Sequence, residues 1–291
     1  MRVAVMSDLH LDFEDLVLPG GDVLILSGDV CEAKRFKKAD YNPEMVMLEH
    51  ENKGRRPDRF SRFLEEECRK YREVIYVMGN HEFYGSQFQK MYPHIKEQLP
   101  DNVHLLENET YELDGVLFLG ATMWTDMNKN DDLTLYHMQS MMNDYRQITM
   151  FNEAKNAYHR LTPERTVQEH FKTRAYFRYV LEENRATKNL PVVVVTHHSP
   201  SKLSTHPHYA DDTIMNGAYS SDLSDLILDN PEIIAWHHGH THHNFSYNIG
   251  STWISCNPRG YAGHEQQAAE FKSRGYEITD GKICNVDEWG C

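Results

Sequence analysis

The sequence predicts an α/β protein, and two observations carry that class. Five apolar runs of strand length, Val3 to Met6, Val23 to Leu26, Val74 to Met78, Val192 to Val195 and Ile233 to Trp236, are separated by longer stretches, several with helical spacing. Such unbroken runs suit strands covered on both faces rather than strands with one wet face. Each run also ends in polar residues of ligand type, and open α/β sheets bind their ligands at the carboxyl ends of their strands.

Taken in order, Val3 to Met6 leads into Ser7-Asp8-Leu9-His10 and Val23 to Leu26 into Ser27-Gly28-Asp29. A charged stretch of weak periodicity, Lys34 to Arg59, reads as a surface excursion. Asp58 to Arg72 then carries Phe60, Phe63, Leu64 and Tyr71 at helical spacing, and Val74 to Met78 delivers Gly79-Asn80-His81-Glu82. Phe88, Met91 and Ile95 predict a helix that Pro93 bends or starts. Tyr111 to Leu113, Asp114-Gly115 and Val116 to Leu119 read as a hairpin.

The Met-, Asn- and Tyr-rich stretch 123–161 has only broken helical spacing, and we expect a cap-like insertion there, folded over the strand ends. Thr162-Pro163 caps and opens a helix to about Asn184 with Val167, Phe171 and Ala175 on one side. Val192 to Val195 ends in Thr196-His197-His198, and a short stripe of Leu223, Leu226 and Ile227 follows Ser221-Asp222. Ile233 to Trp236 ends in His237-His238-Gly239-His240-Thr241-His242, with further strands at Thr252 to Cys256 and Tyr276 to Ile278.

At 291 residues, without a Pro/Gly/Ser-rich linker or a repeat, the chain is expected to form a single domain over 1–291. Asp plus Glu outnumber Lys plus Arg by 44 to 30, a net charge of -14 that argues against an extended nucleic-acid surface. A small anionic substrate stays compatible, because bound cations invert the local potential. The five cysteines are scattered without a C-x-x-C pair, so neither a disulfide framework nor a thiolate zinc site is expected. With no signal-type or membrane-length apolar stretch, the expected location is cytoplasmic and the oligomeric state is left open.

The strand-end residues are Asp8, His10, Asp29, Asn80, His81, His197, His198, His240 and His242. Carboxylates, an amide and imidazoles without thiolate suit Mn²⁺, Fe, Zn²⁺ or Ni²⁺ better than a Mg²⁺ or Ca²⁺ oxygen cage. Seven ligands exceed what one catalytic ion needs and match two ions sharing a carboxylate. The spacings Asp8-x-His10 and His240-x-His242 work in extended or tight-turn backbone just past a strand.

In these blocks the chain resembles the calcineurin-like metallophosphoesterases. Asp8-Leu9-His10, Gly28-Asp29, Gly79-Asn80-His81-Glu82, Thr196-His197-His198-Ser199-Pro200 and Gly239-His240-Thr241-His242 stand in that family's order. The resemblance implies a four-layer αββα sandwich and a site for two divalent transition-metal ions, Mn²⁺ foremost. It places Asp8, His10 and His242 on the first ion, Asn80, His197 and His240 on the second, and Asp29 between both. It implies that His81 is catalytic rather than a ligand, steadying the phosphoryl group or passing a proton to the leaving group, and that a hydroxide shared by the two ions attacks phosphorus.

Within the family, Gly28-Asp29 lacks the following arginine of the Ser/Thr phosphatases, and Met78 stands before Gly79. These departures argue against phosphoprotein substrates, and the His197-His198-Ser199-Pro200 block and Gly239-His240-Thr241-His242 ending look more like the bacterial and phage phosphodiesterase and phosphatase branch. The implied activity is hydrolysis of a small, nucleotide-like phosphodiester or phosphomonoester. A nuclease is the runner-up, and a non-catalytic protein-binding scaffold is the alternative of another class; scaffolds tend to lose ligand positions, and every position is filled here. His198, His238 and His243 read as supporting or surface residues. Arg146 could clamp a phosphate from the cap but reads first as a helix-surface arginine; the same doubt attaches to Arg259, and the role of Glu82 is left open.

Overall fold

A computed structural model of the protein describes residues 1–36 and 59–287. Most of the charged excursion, 37–58, together with His50 and Cys291, lies outside the described residues.

Two six-stranded sheets stack face to face. The first runs β14-β13-β1-β2-β3-β4, with β1 (Arg2–Met6), β2 (Gly21–Ser27), β3 (Tyr71–Val77) and β4 (Val103–Leu105) parallel. Its antiparallel edge is β13 (Arg274–Thr279) and β14 (Lys282–Cys284). The second runs β11-β12-β10-β9-β6-β5, with β6 (Val116–Ala121), β9 (Val192–Thr196), β10 (Ile233–His238) and β12 (Thr252–Cys256) parallel. Antiparallel β5 (Glu109–Leu113) and β11 (Phe245–Ile249) close its edges.

The apolar runs are continuous because both faces of each sheet are buried. Val3, Val5, Val23, Ile25, Ile75 and Val77 point inward to meet Phe118, Val193, Val195 and Ala235 of the other sheet. Their neighbours Met6, Leu24, Leu26, Val74 and Tyr76 face outward to Phe60, Phe63, Leu64 and Ile95. On the far side Val192, Val194 and Trp236 pack on Phe177, Leu181, Leu226 and Ile227. Helices, sheet, sheet, helices: the expected four-layer αββα sandwich is the observed fold.

The hairpin forms as expected, with Asp114 and Gly115 both at positive φ, as a type I′ turn requires. The helix expected over Asp58 to Arg72 is shorter and irregular. It is α1 (Arg59–Arg62) followed by a π turn (Phe63–Glu67) and a 3-10 turn (Cys68–Lys70), and Tyr71 opens β3 instead. Helix α2 (Phe88–Lys96) contains Pro93 in its interior, so the proline does not set its start.

After β6 the chain makes α3 (Asp132–Met141), α4 (Asp144–Gln147) and the hairpin β7 (Thr149–Asn152) and β8 (Ala157–Arg160). Leu135, Met138, Met142, Tyr145 and Ile148 of this stretch join the core outside the first sheet.

Helix α5 (Pro163–Ala186) starts where expected, Thr162 accepting from the Arg165 backbone N–H at 3.3 Å. Its buried face differs from the expected one. Val167 is buried with His170, Phe177 and Leu181, whereas Ala175 is exposed and Phe171 is 48% exposed. The stripe includes a buried histidine that apolar spacing does not mark: His170 Nδ1 pairs with the Trp124 carbonyl at 2.5 Å. The Leu223, Leu226 and Ile227 stripe is buried on and beside α6 (Ser224–Leu228). Strand β10 runs two residues further than expected, so His237 and His238 lie within it and are fully buried.

Candidate metal centre

Strands β1, β2, β3, β9 and β10 end along one edge shared by the two sheets, and their terminal loops bring the seven expected ligands together. All five loops touch through backbone and carboxylate contacts, the β9 loop through the Gly239 amide, which donates to the His197 carbonyl at 2.9 Å. The Asp8 and His10 amides donate to the Gly28 and Asp29 carbonyls at 3.0 and 3.1 Å, and the His240 amide donates to the Asp8 carboxylate at 3.0 Å. The His81 amide donates to Asp29 Oδ1 at 2.8 Å. Five of the seven, Asp8, His10, Asp29, His240 and His242, have φ between 44° and 68°. The i, i+2 pairs are thus tight left-handed turns rather than extended backbone, a strain of order 1–3 kcal/mol per residue tolerated at functional sites.

Gly79 is needed for close approach rather than for a turn. A Cβ there would lie 2.1 Å from Asp29 Oδ1 and 2.7 Å from the His197 ring. Glu82, whose role the sequence left open, has a clear one. Its buried carboxylate accepts from the amides of Asp29, Val30 and Gly79 at 3.1, 2.7 and 2.7 Å and from the Tyr76 hydroxyl at 2.8 Å. It ties the Gly28-Asp29 loop to the Gly79-Asn80 loop. Burial, reinforced by the Asp29 charge, pushes the Glu82 carboxyl up to about 7.

The donor atoms fall into overlapping groups. Asp8, His10 and His242 each place one ligand atom within 4.8 Å of the others, and Asp29, His197 and His240 do the same. Asn80 Oδ1 lies 3.0 Å from His197 Nε2, which joins the amide to the second group. His81 forms a third group with His10 and Asp29, so distance by itself does not set it apart from the ligands.

The chemistry of this donor set fits cations. His197 Nδ1 faces the Ser27 carbonyl at 2.8 Å and must be the N–H, which leaves the Nε2 lone pair facing Asn80 Oδ1 and, at 3.4 Å, Asp29 Oδ2. His242 Nδ1 is likewise held by Glu265 at 2.9 Å, and its Nε2 confronts His10 Nε2 at 3.0 Å. The buried His240 Nε2 has no hydrogen-bond partner among the described residues. Acceptors buried face to face require a positive charge between them, a proton or a cation.

The proton affinities say the same. Burial lowers His197, but the Asp29 carboxylate beside it overrides that and carries it up to about 10, a proton filling the cation's place. Burial opposes ionisation of Asp29, yet His197 and His81 hold it well below the usual carboxylate range. Burial depresses His10 to about 2 and His240 far below its ordinary value, so both present neutral lone pairs.

A cavity of about 530 Å³ opens on this cluster. Its floor is Asp29, Asn80, His81, His240 and His242, and its walls include Tyr84, Tyr219, Tyr261, Met142, Met215 and Asn143. The stretch 123–161 also reaches the residues behind this floor. Asp144, at the start of α4, is buried and accepts from the Asn80 amide nitrogen and the Tyr84 hydroxyl, each at 2.8 Å.

Asp144, Tyr84, Tyr261 and Glu265 escaped the sequence reading, since none sits in a strand-end block. The other open residues resolve. His198 is buried, its ring tilted against Trp124 with Nδ1 3.3 Å from the Thr122 carbonyl, and His238 Nε2 pairs with Ser204 Oγ at 2.8 Å. His237 is bonded between Ser255 and Tyr276 inside the sandwich. Arg146 is exposed, donates to the Ser140 carbonyl and does not line the cavity. Arg259 is buried and donates to the Glu14 carboxylate and to carbonyls of residues 9, 14 and 15.

Among the described residues no helix is long and apolar enough to cross a membrane. The family model described as calcineurin-like phosphoesterase matches residues 1–244. Protein L509 of Acanthamoeba polyphaga mimivirus is 27% identical over 277 residues, covering 90% of this chain and 91% of its own length. The phosphopantetheinyl hydrolase of Mycobacterium tuberculosis superposes with a TM-score of 0.57 at 15% identity over 89% of each chain, a likeness of fold.

Proposed function

The chain belongs to the calcineurin-like phosphoesterase family and is a metal-dependent phosphoester hydrolase; from that premise we propose that it hydrolyses a small, nucleotide-like phosphodiester or phosphomonoester. The observation that carries the reading is the convergence of His197, His240, His242 and His10 ring nitrogens with Asp8, Asp29 and Asn80 beside an open cavity that Asp29, Asn80, His240 and His242 line.

Asp8, His10 and His242 would hold one ion, Asn80, His197 and His240 the other, with Asp29 shared. Two divalent ions, Mn²⁺ foremost, supply a water of lowered pKa and charge to offset the phosphoryl oxygens. The protein's own part is orientation and proton delivery. Ser27 and Glu265 fix which nitrogen His197 and His242 present, the Glu82 carboxylate holds two ligand loops in register, and His81 protonates the departing oxygen.

The cavity supports a small substrate. Its volume lies in the range of small-molecule sites, and the Tyr84, Tyr219, Met142 and Met215 walls suit a flat organic group beside the phosphate. The insertion over 123–161 acts in this reading as a substrate-selecting cap, since Met141, Met142 and Asn143 line the cavity.

The test is turnover of bis-p-nitrophenyl phosphate against p-nitrophenyl phosphate with Mn²⁺, then a cyclic-nucleotide panel, alongside metal analysis of the purified protein. Activity on either ester with stoichiometric binding of two ions is expected. Inactivity on all of these across Mn²⁺, Fe²⁺, Zn²⁺ and Ni²⁺ overturns the reading.

A further inference from the structure

Beyond residue 244, where the family match ends, the chain returns to the centre through Asn257-Pro258-Arg259-Gly260-Tyr261. This segment is fastened to the first ligand loop along its length. Asn257 Nδ2 donates to the Val5 carbonyl at 2.8 Å, the Ser7 amide donates to the Asn257 carbonyl at 3.1 Å, and the Arg259 and Gly260 amides donate to the Ser7 and Asp8 carbonyls at 3.0 and 2.9 Å. Arg259 locks the outer side of the same loop. Gly260 has φ +81°, and a Cβ on it would fall 2.1 Å from the Glu265 carboxylate that holds His242.

So rigid a mounting ends on one side chain. The Tyr261 ring lies 4.2 Å from the His10 ring and 4.8 Å from the His242 ring, centroid to centroid, and it lines the cavity. Its hydroxyl stands 3.3 Å from His81 Nε2. His81 has little freedom to turn away: it stacks on Tyr84 at 4.3 Å and meets the edge of His10 at 4.7 Å. Asp29 Oδ2, at 3.9 Å, is beyond hydrogen-bond range of the same nitrogen. Tyr261 is therefore the hydrogen-bond partner of His81 Nε2 on the cavity side.

We infer that Tyr261 is a positioning residue for protonation of the leaving group. Its hydroxyl accepts the Nε2–H of His81 and keeps that proton turned into the cavity until the ester oxygen displaces it. In the reaction one P–O bond forms from water and the P–O bond to the alcohol breaks. The departing oxygen keeps the bonding electron pair and takes the proton from His81 Nε2, and the proton that water loses restores His81 at the end of the turnover. The inference rests on the phosphoesterase reading above.

A proton-positioning role leaves a signature that a packing role does not. Phenolate needs a proton to depart far more than p-nitrophenolate does. The experiment compares phenyl and p-nitrophenyl esters, of whichever ester class the wild type turns over, in wild type, Tyr261→Phe, His81→Ala and the double variant, with metal content measured throughout. In Tyr261→Phe, kcat for the phenyl ester is expected to fall about 10-fold, part of the full effect of general acid catalysis. For the p-nitrophenyl ester kcat should change less than about 2-fold, with KM and metal content held. In the His81→Ala background Tyr261→Phe should cost nothing further. An equal fall for both leaving groups, an undiminished effect without His81, or loss of metal from Tyr261→Phe overturns the inference while leaving the hydrolase reading intact. A wild type inactive on both esters strikes at the hydrolase reading instead.

Discussion

The carboxylate of Asp144, at the start of α4, lies 2.8 Å from the amide nitrogen of Asn80, which lines the cavity. With its nitrogen committed there, Asn80 must turn its oxygen toward His197 Nε2. An asparagine can present either end, and here a residue 64 positions away decides which. Asp144→Ala is expected to lower metal occupancy from two ions toward one and to cut kcat, while Asp144→Asn, which can still accept from Asn80, recovers part of both. Metal analysis by plasma mass spectrometry reads this directly, and two ions retained in Asp144→Ala would remove Asp144 from the centre.

Division of labour between ligands and His81 follows from the proposed assignment. Asp29→Asn should lose both metal and activity, since an amide neither bridges two cations nor offsets their charge. His81→Ala should keep its metal and lose turnover of a phenyl ester, whose leaving group needs a proton, by about 10²- to 10⁴-fold. His81 also belongs to a group of potential ligands with His10 and Asp29, so the metal content of this variant is the discriminating number. A fall in stoichiometry would make His81 a ligand.

Glu82 is expected to matter for stability before chemistry. Glu82→Ala strands three buried backbone N–H groups and the Tyr76 hydroxyl. At roughly 1–3 kcal/mol per unsatisfied group, a loss above about 3 kcal/mol is expected in denaturant unfolding of metal-free protein. A variant within about 1 kcal/mol of wild type would mean that water takes over those bonds.

Glu107 introduces a pH dependence away from the metals. Burial raises its carboxyl to about 7, against the two hydrogen bonds it accepts from Thr122. The folded protein then holds a proton that the unfolded chain has released, so this group's contribution to stability is full below about pH 4.5 and is lost as pH rises to about 7. Glu107→Gln should abolish that slope. The stability difference between variant and wild type is expected to grow in the variant's favour by on the order of 3 kcal/mol from pH 4.5 to pH 8, read from unfolding curves at each pH. A difference constant with pH would mean that Glu107 titrates alike in both states.

Much of this protein was legible in its residues. The class, the strand positions and the seven converging side chains follow from local signals: apolar runs of fixed length, and polar residues that have no reason to follow buried strands unless they bind something. The Asp114-Gly115 turn was readable for the same reason, as only a few residues adopt its backbone. The departures from local expectation are local too: the buried face of α5 includes the polar His170, and Tyr71 suits a helix or a strand equally well.

The second rank of the site was out of reach. Asp144, Tyr84, Tyr261, Glu265 and the clamp made by Glu82 are ordinary residues in sequence, and they become parts of the centre only because distant loops close on one another. Asn80 shows the divide. Its place at the end of a buried strand could be read from the chain, but the direction of its amide depends on Asp144, and a side chain's direction is set by contacts across space that carry no fixed spacing in sequence. Local signals in the chain named seven of the side chains that meet; the packing of five loops, the stretch 123–161 and a returning C-terminal segment decided what surrounds them and how each atom is turned.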